Sequence, residues 1–264
     1  MITACATVSF RKDWPTALRE AARLGFAHVD LCAIPVFDQL HPERMARDPD
    51  GQAAEIGEAL RQAGVRASSF NANVGSVIDR TAEAAAKRER EWRGLARVMK
   101  LLGARTASFY TGYLAQGSPW RDALAAVAAT AAEMVEAARR LEVEFVIEPH
   151  FDTPVSGPEQ VRALLAAIPD LRFTYDPSHF AMQDLPFDET AFILERASLV
   201  HLRDAASGRM HVRCGEGTVD IPRLMSVLRA RAFPGPVVVE CLPDSPWNLD
   251  DDILAVRRLV DDGR

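Results

Sequence analysis

Cysteine is scarce in this 264-residue chain, and long apolar runs and basic tracts are missing; each shortage removes a class of protein. The four cysteines, Cys5, Cys32, Cys214 and Cys241, are scattered without CxxC spacing and mostly embedded in apolar, strand-like stretches. A disulfide scaffold or thiolate zinc cluster is not written that way, so reduced structural thiols are expected. No apolar stretch reaches the length a bilayer demands, and the opening MITACATVSFRKDW lacks the positive start and apolar core of a secretory signal. A cytoplasmic location without a membrane partner is the expectation. The net charge of −6 is mild and its signs are interspersed, with no Lys/Arg cluster interleaved with aromatics, so no nucleic acid is expected as partner. Also missing are GxGxxG after a strand, a P-loop, GxSxG and HExxH. Dinucleotide oxidoreduction, nucleotide hydrolysis, serine esterase and zincin chemistry therefore lack their mechanical parts.

What is present is an alternation. Apolar residues make up 48% of the chain, enough for a large core. Val, Ile, Phe and Thr concentrate in ITACATVSF, AHVDLCA, VRASSFNA, RTASFYTG, EFVIEPH, RFTYDPS, LVHLRDA and PVVVEC, each followed by an amphipathic Ala/Leu/Arg/Glu segment. Glycines stand just before several strands, as in RLGFAHVD, RQAGVRAS and KLLGARTAS, where a left-handed residue ends a helix. Eight strand–helix units without a linker predict an α/β fold, a (β/α)8 TIM barrel forming a single domain over residues 1–264.

Four of the predicted strands end in residues that bind divalent metals: Glu148 in FVIEPH, Asp176 in FTYDPSH, His201 in LVHLRD and Glu240 in VVVEC. Acids and imidazoles at the carboxyl ends of buried strands are poor core material and good ligand material. Active sites of such barrels are built at that end, so residues from the fifth to eighth units converge there. Three carboxylates and one imidazole form a mostly oxygen set that suits one divalent ion: Mn²⁺ foremost, with Mg²⁺, Co²⁺ or Zn²⁺ also admitted.

The ordered series IEPH, YDPSH, HLRD, GEG (Gly215 to Gly217) and VVVE resembles the xylose-isomerase-like barrels, and the resemblance extends over roughly the whole chain. That superfamily includes sugar isomerases, ketose 3-epimerases, hydroxypyruvate isomerase, inosose dehydratase and endonuclease IV. The resemblance implies that Glu148, Asp176, His201 and Glu240 hold the ion, and that Glu148 and Glu240 flank the substrate as catalytic acid and base. It also implies a small sugar, keto-sugar or polyol as partner and substrate, isomerised or epimerised through an enediolate. A lyase resembling inosose dehydratase uses the same parts. Endonuclease IV carries an Asp-x-His pair ahead of its GEG that binds an additional zinc; this chain has Arg209-Met210-His211, and a guanidinium that stays protonated is no ligand. DNA repair is therefore disfavoured, and a non-catalytic barrel sits poorly with an intact ligand set.

Further substrate contacts are expected from His179, three positions after Asp176, and from His150, two beyond Glu148. Arg209 is a candidate for a carboxylate, phosphate or hydroxyl, against the alternative of a solvated loop charge. Trp247 follows Glu240 closely and is the best placed of Trp14, Trp120 and Trp247, all assigned to βα connections, to wall a sugar pocket. Asn71, Asn73, Tyr110 and Tyr113 end the third and fourth strands, where turn and packing roles compete with hydrogen bonds to a polyol. The sequence leaves the oligomeric state open; a homo-oligomer is admitted, since members of the family often associate and the long helix of the fourth unit offers apolar surface.

Overall fold

In the computed structural model, which describes residues 1–114 and 119–262, eight parallel strands close a barrel in sequence order, the last pairing with the first. The chain runs β1 (Ile2–Ala6), α1 (Trp14–Arg23), β2 (His28–Ala33), α2 (Pro42–Arg47), α3 (Pro49–Ala63), β3 (Arg66–Ala72), α4 (Ala82–Leu102), β4 (Thr106–Tyr110) and α5 (Trp120–Leu141). It continues through β5 (Glu144–Glu148), α6 (Pro158–Ala167), β6 (Phe173–Tyr175), α7 (Pro177–Ala181), α8 (Phe187–Thr190), β7 (Ala197–Leu202), α9 (Ile221–Ala230), β8 (Pro236–Val239) and α10 (Leu249–Asp261). None of the described helices is long and apolar enough to cross a membrane.

All eight expected strand runs become strands, with two local departures. β1 is shorter than ITACATVSF because Thr7–Ser9 turns into a 3-10 helix, and the Thr7 hydroxyl accepts the Cys32 backbone N–H at 2.9 Å. The sixth unit has no long helix. Pro177 starts α7 directly after Asp176, and the return to β7 is made by α7, α8 and a 3-10 turn over Ala191–Arg196. Trp14 and Trp120, assigned from sequence to the preceding connections, are instead the first residues of α1 and α5. Gly64 and Gly103 end α3 and α4 at φ of +72° and +77°, as their positions before strands imply.

Alternation along the strands sorts two environments. Val29, Leu31, Val200, Leu202, Val237 and Val239 face outward into the large core beneath the helices. Ala4, Ala6, Cys32, Leu199 and Val238 form a separate cluster inside the barrel. Side chains two residues along a strand share a face, so Asp30 lies inward with Cys32, His201 with Leu199, and Glu240 with Val238. The lumen thus becomes polar towards the carboxyl ends of the strands, and the functional groups gather there.

One glycine sets how closely the outer layer packs. A Cβ at Gly94, in the middle of α4, would stand 2.5 Å from the Ala46 backbone N and Cα of α2. Gly94→Ala is expected to force these helices apart and cost roughly 1–3 kcal/mol, the range for overpacking a filled interior. Thermal melts check this, and a variant that melts with the wild type would show that α2 yields freely.

Candidate metal and active site

Each of the four expected metal ligands is delivered by a different strand, and all are buried. Glu148 closes β5, Asp176 follows β6, His201 lies near the end of β7 and Glu240 follows β8. One ligand atom from each lies within 4.8 Å of all the others. Asp176 divides its carboxylate between two tasks: Oδ1 caps α7 by accepting the Ser178 backbone N–H at 2.8 Å, while buried Oδ2 accepts no hydrogen bond and meets Arg203 as an ion pair at 3.1 Å. His201 Nδ1 stands 2.9 Å from Glu148 Oε1 and 3.4 Å from Glu240 Oε2, and its buried Nε2 is unpartnered. A carboxylate oxygen that accepts no hydrogen bond, beside two further acids and an imidazole, has the donor chemistry of a divalent-cation site.

Arg203, two residues beyond His201 and on the same face, is buried among these acids. Its Nη1 donates to Glu240 Oε2 at 2.7 Å, and its Nη2 stands 3.1 Å from Asp176 Oδ2 and 3.4 Å from His179 Nε2. Asn71 donates to Glu240 Oε1 at 3.1 Å, so both oxygens of that glutamate are engaged by fixed donors. Burial alone would raise the Glu240 pKa, but His201 and Arg203 more than offset it and hold the carboxyl at about 2. For Asp176 burial wins over Arg203, and the pKa is raised. Burial lowers the His201 pKa, whereas Glu240 and Glu148 together lift it well above its ordinary value. The two glutamates are thus unequal: Glu240 is pinned by Arg203 and Asn71, whereas Glu148 is tied at one oxygen to His201.

Above this floor opens a cavity of about 830 Å³, within the range of small-molecule sites. His150 and His179 stand on its wall with ring centroids 3.9 Å apart, and Tyr110 and Tyr113 pack around His150. Burial keeps His179 neutral, helped by His150 and Arg203, with its pKa well below the ordinary value. Tyr110 accepts a hydrogen bond from Asn73 at 2.9 Å. Of the expected substrate contacts, His150 and His179 line the cavity, whereas Arg209 and Trp247 do not. Arg209 is exposed on the loop after β7, its backbone bridged to Ala206. Trp247 packs edge-on to His211, with centroids 5.2 Å apart.

Asp204 explains why HLRD and GEG occur together. Its carboxylate accepts backbone N–H groups from Ala205, Gly215, Gly217 and Val219 at 2.8 to 3.3 Å, folding the loop back on the strand end. A Cβ at Gly217 would stand 2.0 Å from Asp204 Oδ1, so glycine is needed for that approach. His211, Cys241 and Asp252 form a second group of ligand-type residues, but its atoms are already committed. His211 Nε2 meets Asp252 Oδ2 at 2.8 Å, its Nδ1 is 2.9 Å from the Ser245 hydroxyl, and Asp252 Oδ1 accepts the Cys214 N–H. Burial also pushes the Cys241 thiol pKa well up, so this group clamps α10 to the site loop.

Residues 18–259 match the family model described as a xylose isomerase-like TIM barrel. No curated protein matches the chain in sequence. Among solved structures, D-allulose 3-epimerase from Methylomonas sp. aligns at 17% identity over 99% of this chain and 97% of its own, with a TM-score of 0.75. The probable 3-DHS dehydratase AsbF from Bacillus anthracis aligns at 14% over 99% of both chains, with a TM-score of 0.74. The IOLI protein with a bound zinc atom aligns at 17% over 99% of this chain and 97% of its own, with a TM-score of 0.72. At such identities the likeness is one of fold.

Proposed function

Since the chain belongs to the xylose isomerase-like TIM-barrel family, we propose that it is a metal-dependent isomerase or 3-epimerase of a small sugar, keto-sugar or polyol. The observation that carries this reading is the buried set of three carboxylates and an imidazole, two of which, Glu148 and Glu240, line a cavity large enough for a monosaccharide. Glu148, Asp176, His201 and Glu240 would hold one divalent ion, Mn²⁺ foremost given the oxygen-rich donors. The IOLI protein, which shares this fold, binds a zinc atom, and that supports metal dependence here. Such an ion, when bound, supplies positive charge beside developing enediolate oxygens.

The chain's own residues supply the rest. Glu148, with only one oxygen tied to His201, takes the proton from the carbon next to the carbonyl. Glu240 faces the same cavity and returns a proton in the epimerase reading, but it must first loosen its contacts with Arg203 and Asn71. Neutral His179 offers an N–H or a lone pair to a hydroxyl, and His150 packs against its ring at a tilt of 41°.

The pinning of Glu240 favours a second reading, a lyase: elimination of water needs a base on one face and no proton return on the other. The dehydratase AsbF shares this fold and supports keeping that outcome open. Incubating a panel of ketoses and keto-polyols with the protein in deuterated water separates the two. Deuterium at carbon with the hydroxyls retained is the expected result, loss of water marks the lyase, and no exchange across the panel refutes both.

Metal binding should depend on pH in a fixed direction. Glu240 and Glu148 keep His201 protonated in the metal-stripped protein, and a ligating imidazole must be neutral. Affinity for Mn²⁺ is expected to rise about tenfold per pH unit below the raised His201 pKa, with one proton released per ion. Calorimetry in buffers of different ionisation enthalpy measures that proton; metal uptake that releases no proton would contradict the assignment of His201.

A further inference from the structure

We propose that Asp30 is a positioning residue for His201: its free carboxylate oxygen accepts the Nε2–H of that imidazole through one bridging water, leaving the Nδ1 lone pair for the ion. This rests on the metal site proposed above and extends it to the layer beneath. Asp30 is buried in the middle of β2, where a carboxylate contributes nothing to an apolar core. It faces the lumen, as His201 does, by the alternation with Cys32 and Leu199.

Asp30 is held there by a built feature. The register between β2 and β3 slips at this point, from Val29 opposite Ala67 to Asp30 opposite Ser69, so that Ser68 is the extra residue of a bulge. The Ser68 hydroxyl bonds the Val29 carbonyl at 2.9 Å, and the Ser69 hydroxyl donates to Asp30 Oδ2 at 2.5 Å. Asp30 Oδ1 is left without a partner, and so is His201 Nε2, both buried. Two orphaned polar atoms in one closed lumen, one an acceptor and one a ring nitrogen, supply the minimum of partners that a buried water needs. Among the charged groups around Asp30, the imidazole of His201 acts most strongly on its carboxyl. A ligating histidine nearly always donates its second ring N–H to a carboxylate, carbonyl or water, which fixes the tautomer and raises the basicity of the ligand nitrogen.

The test is calorimetric titration of the metal-stripped full chain with Mn²⁺, for wild type, Asp30→Asn and Ser69→Ala, with thermal melts of each metal-free protein. Asp30→Asn keeps size and shape and is expected to lower Mn²⁺ affinity by roughly 10- to 100-fold. Ser69→Ala leaves the carboxylate in place but unheld, and is expected to weaken binding by a smaller factor. If Asp30→Asn does not fold, a weakened Ser69→Ala supports the proposal and an unweakened one overturns it. Affinities within twofold of wild type in both variants overturn it as well, as does a lowered melting temperature with unchanged affinity of the folded protein, the mark of a purely structural role. A wild type that binds no divalent ion sinks the metal site itself; a wild type that binds, with variants that bind equally, sinks only the role of Asp30.

Discussion

Glu148→Gln is expected to lower kcat by roughly 10²- to 10⁴-fold on whichever substrate the wild type turns over, the usual weight of one positioned proton-transfer group. Glutamine keeps the size of the side chain and an oxygen for His201 Nδ1, but it cannot take a proton. Glu148 is the freer of the two glutamates, since Glu240 has Asn71 on one oxygen and Arg203 on the other. Glu240→Gln should therefore show a different profile, losing stability and ion affinity as well as turnover. Steady-state kinetics with the bound metal quantified for each variant separates these effects. Turnover near wild type in a metal-loaded Glu148→Gln protein would remove this residue from the chemistry.

Arg203→Met is expected to produce the largest loss of stability. The guanidinium is buried and faces Glu240 and Asp176, so a neutral side chain leaves Asp176 without its ion-pair partner and Glu240 with His201 alone. Breaking a buried pair in this way costs about 3–5 kcal/mol, or on the order of 10 °C in melting temperature for a chain of this size. The pH dependence follows from Glu240, which His201 first and Arg203 after it hold at about 2 against burial, below its ordinary 4.5, so that Arg203 accounts for part of the shift. The stabilisation from that pair is fully present above the ordinary value and is lost as pH falls through the folded one. The gap between variant and wild type should accordingly be widest above about pH 5 and shrink on acidification. Saturating Mn²⁺ should recover part of the loss, because an ion among the same carboxylates substitutes for the missing cation. Thermal melts with and without metal test both statements, and a variant that melts within a degree or two of wild type would contradict them.

The barrel was legible because its signal repeats: eight apolar strand runs, each with a helical partner, leave little room for another closure. Strand ends were less legible where a side chain overrode periodicity, as at Thr7, whose hydroxyl binds the β2 backbone and bends the chain into a 3-10 turn. The four candidate ligands stood out because each is a polar group ending an apolar strand. Arg203 was also within the HLRD motif, and its two-residue spacing from His201 placed it on the same face. Nothing in the sequence, however, told a buried arginine from an exposed one such as Arg209, since that depends on how the loop after β7 folds over Asp204. Asp30 carried a readable signal, an acid in the middle of the apolar run HVDLCA, but its partner Ser69 depends on a bulge that leaves no periodic trace. Trp247 was drawn to the site by proximity to Glu240 along the chain, whereas the turn after β8 carries it outward onto His211.

The most direct measurement of the central claim is the stoichiometry of divalent metal on the purified chain and on Asp176→Ala, by calorimetry and elemental analysis. One ion per chain in the wild type, lost or greatly weakened without Asp176, is the predicted result. A wild type that takes up no ion, or an Asp176→Ala protein that binds it unchanged, would contradict the account.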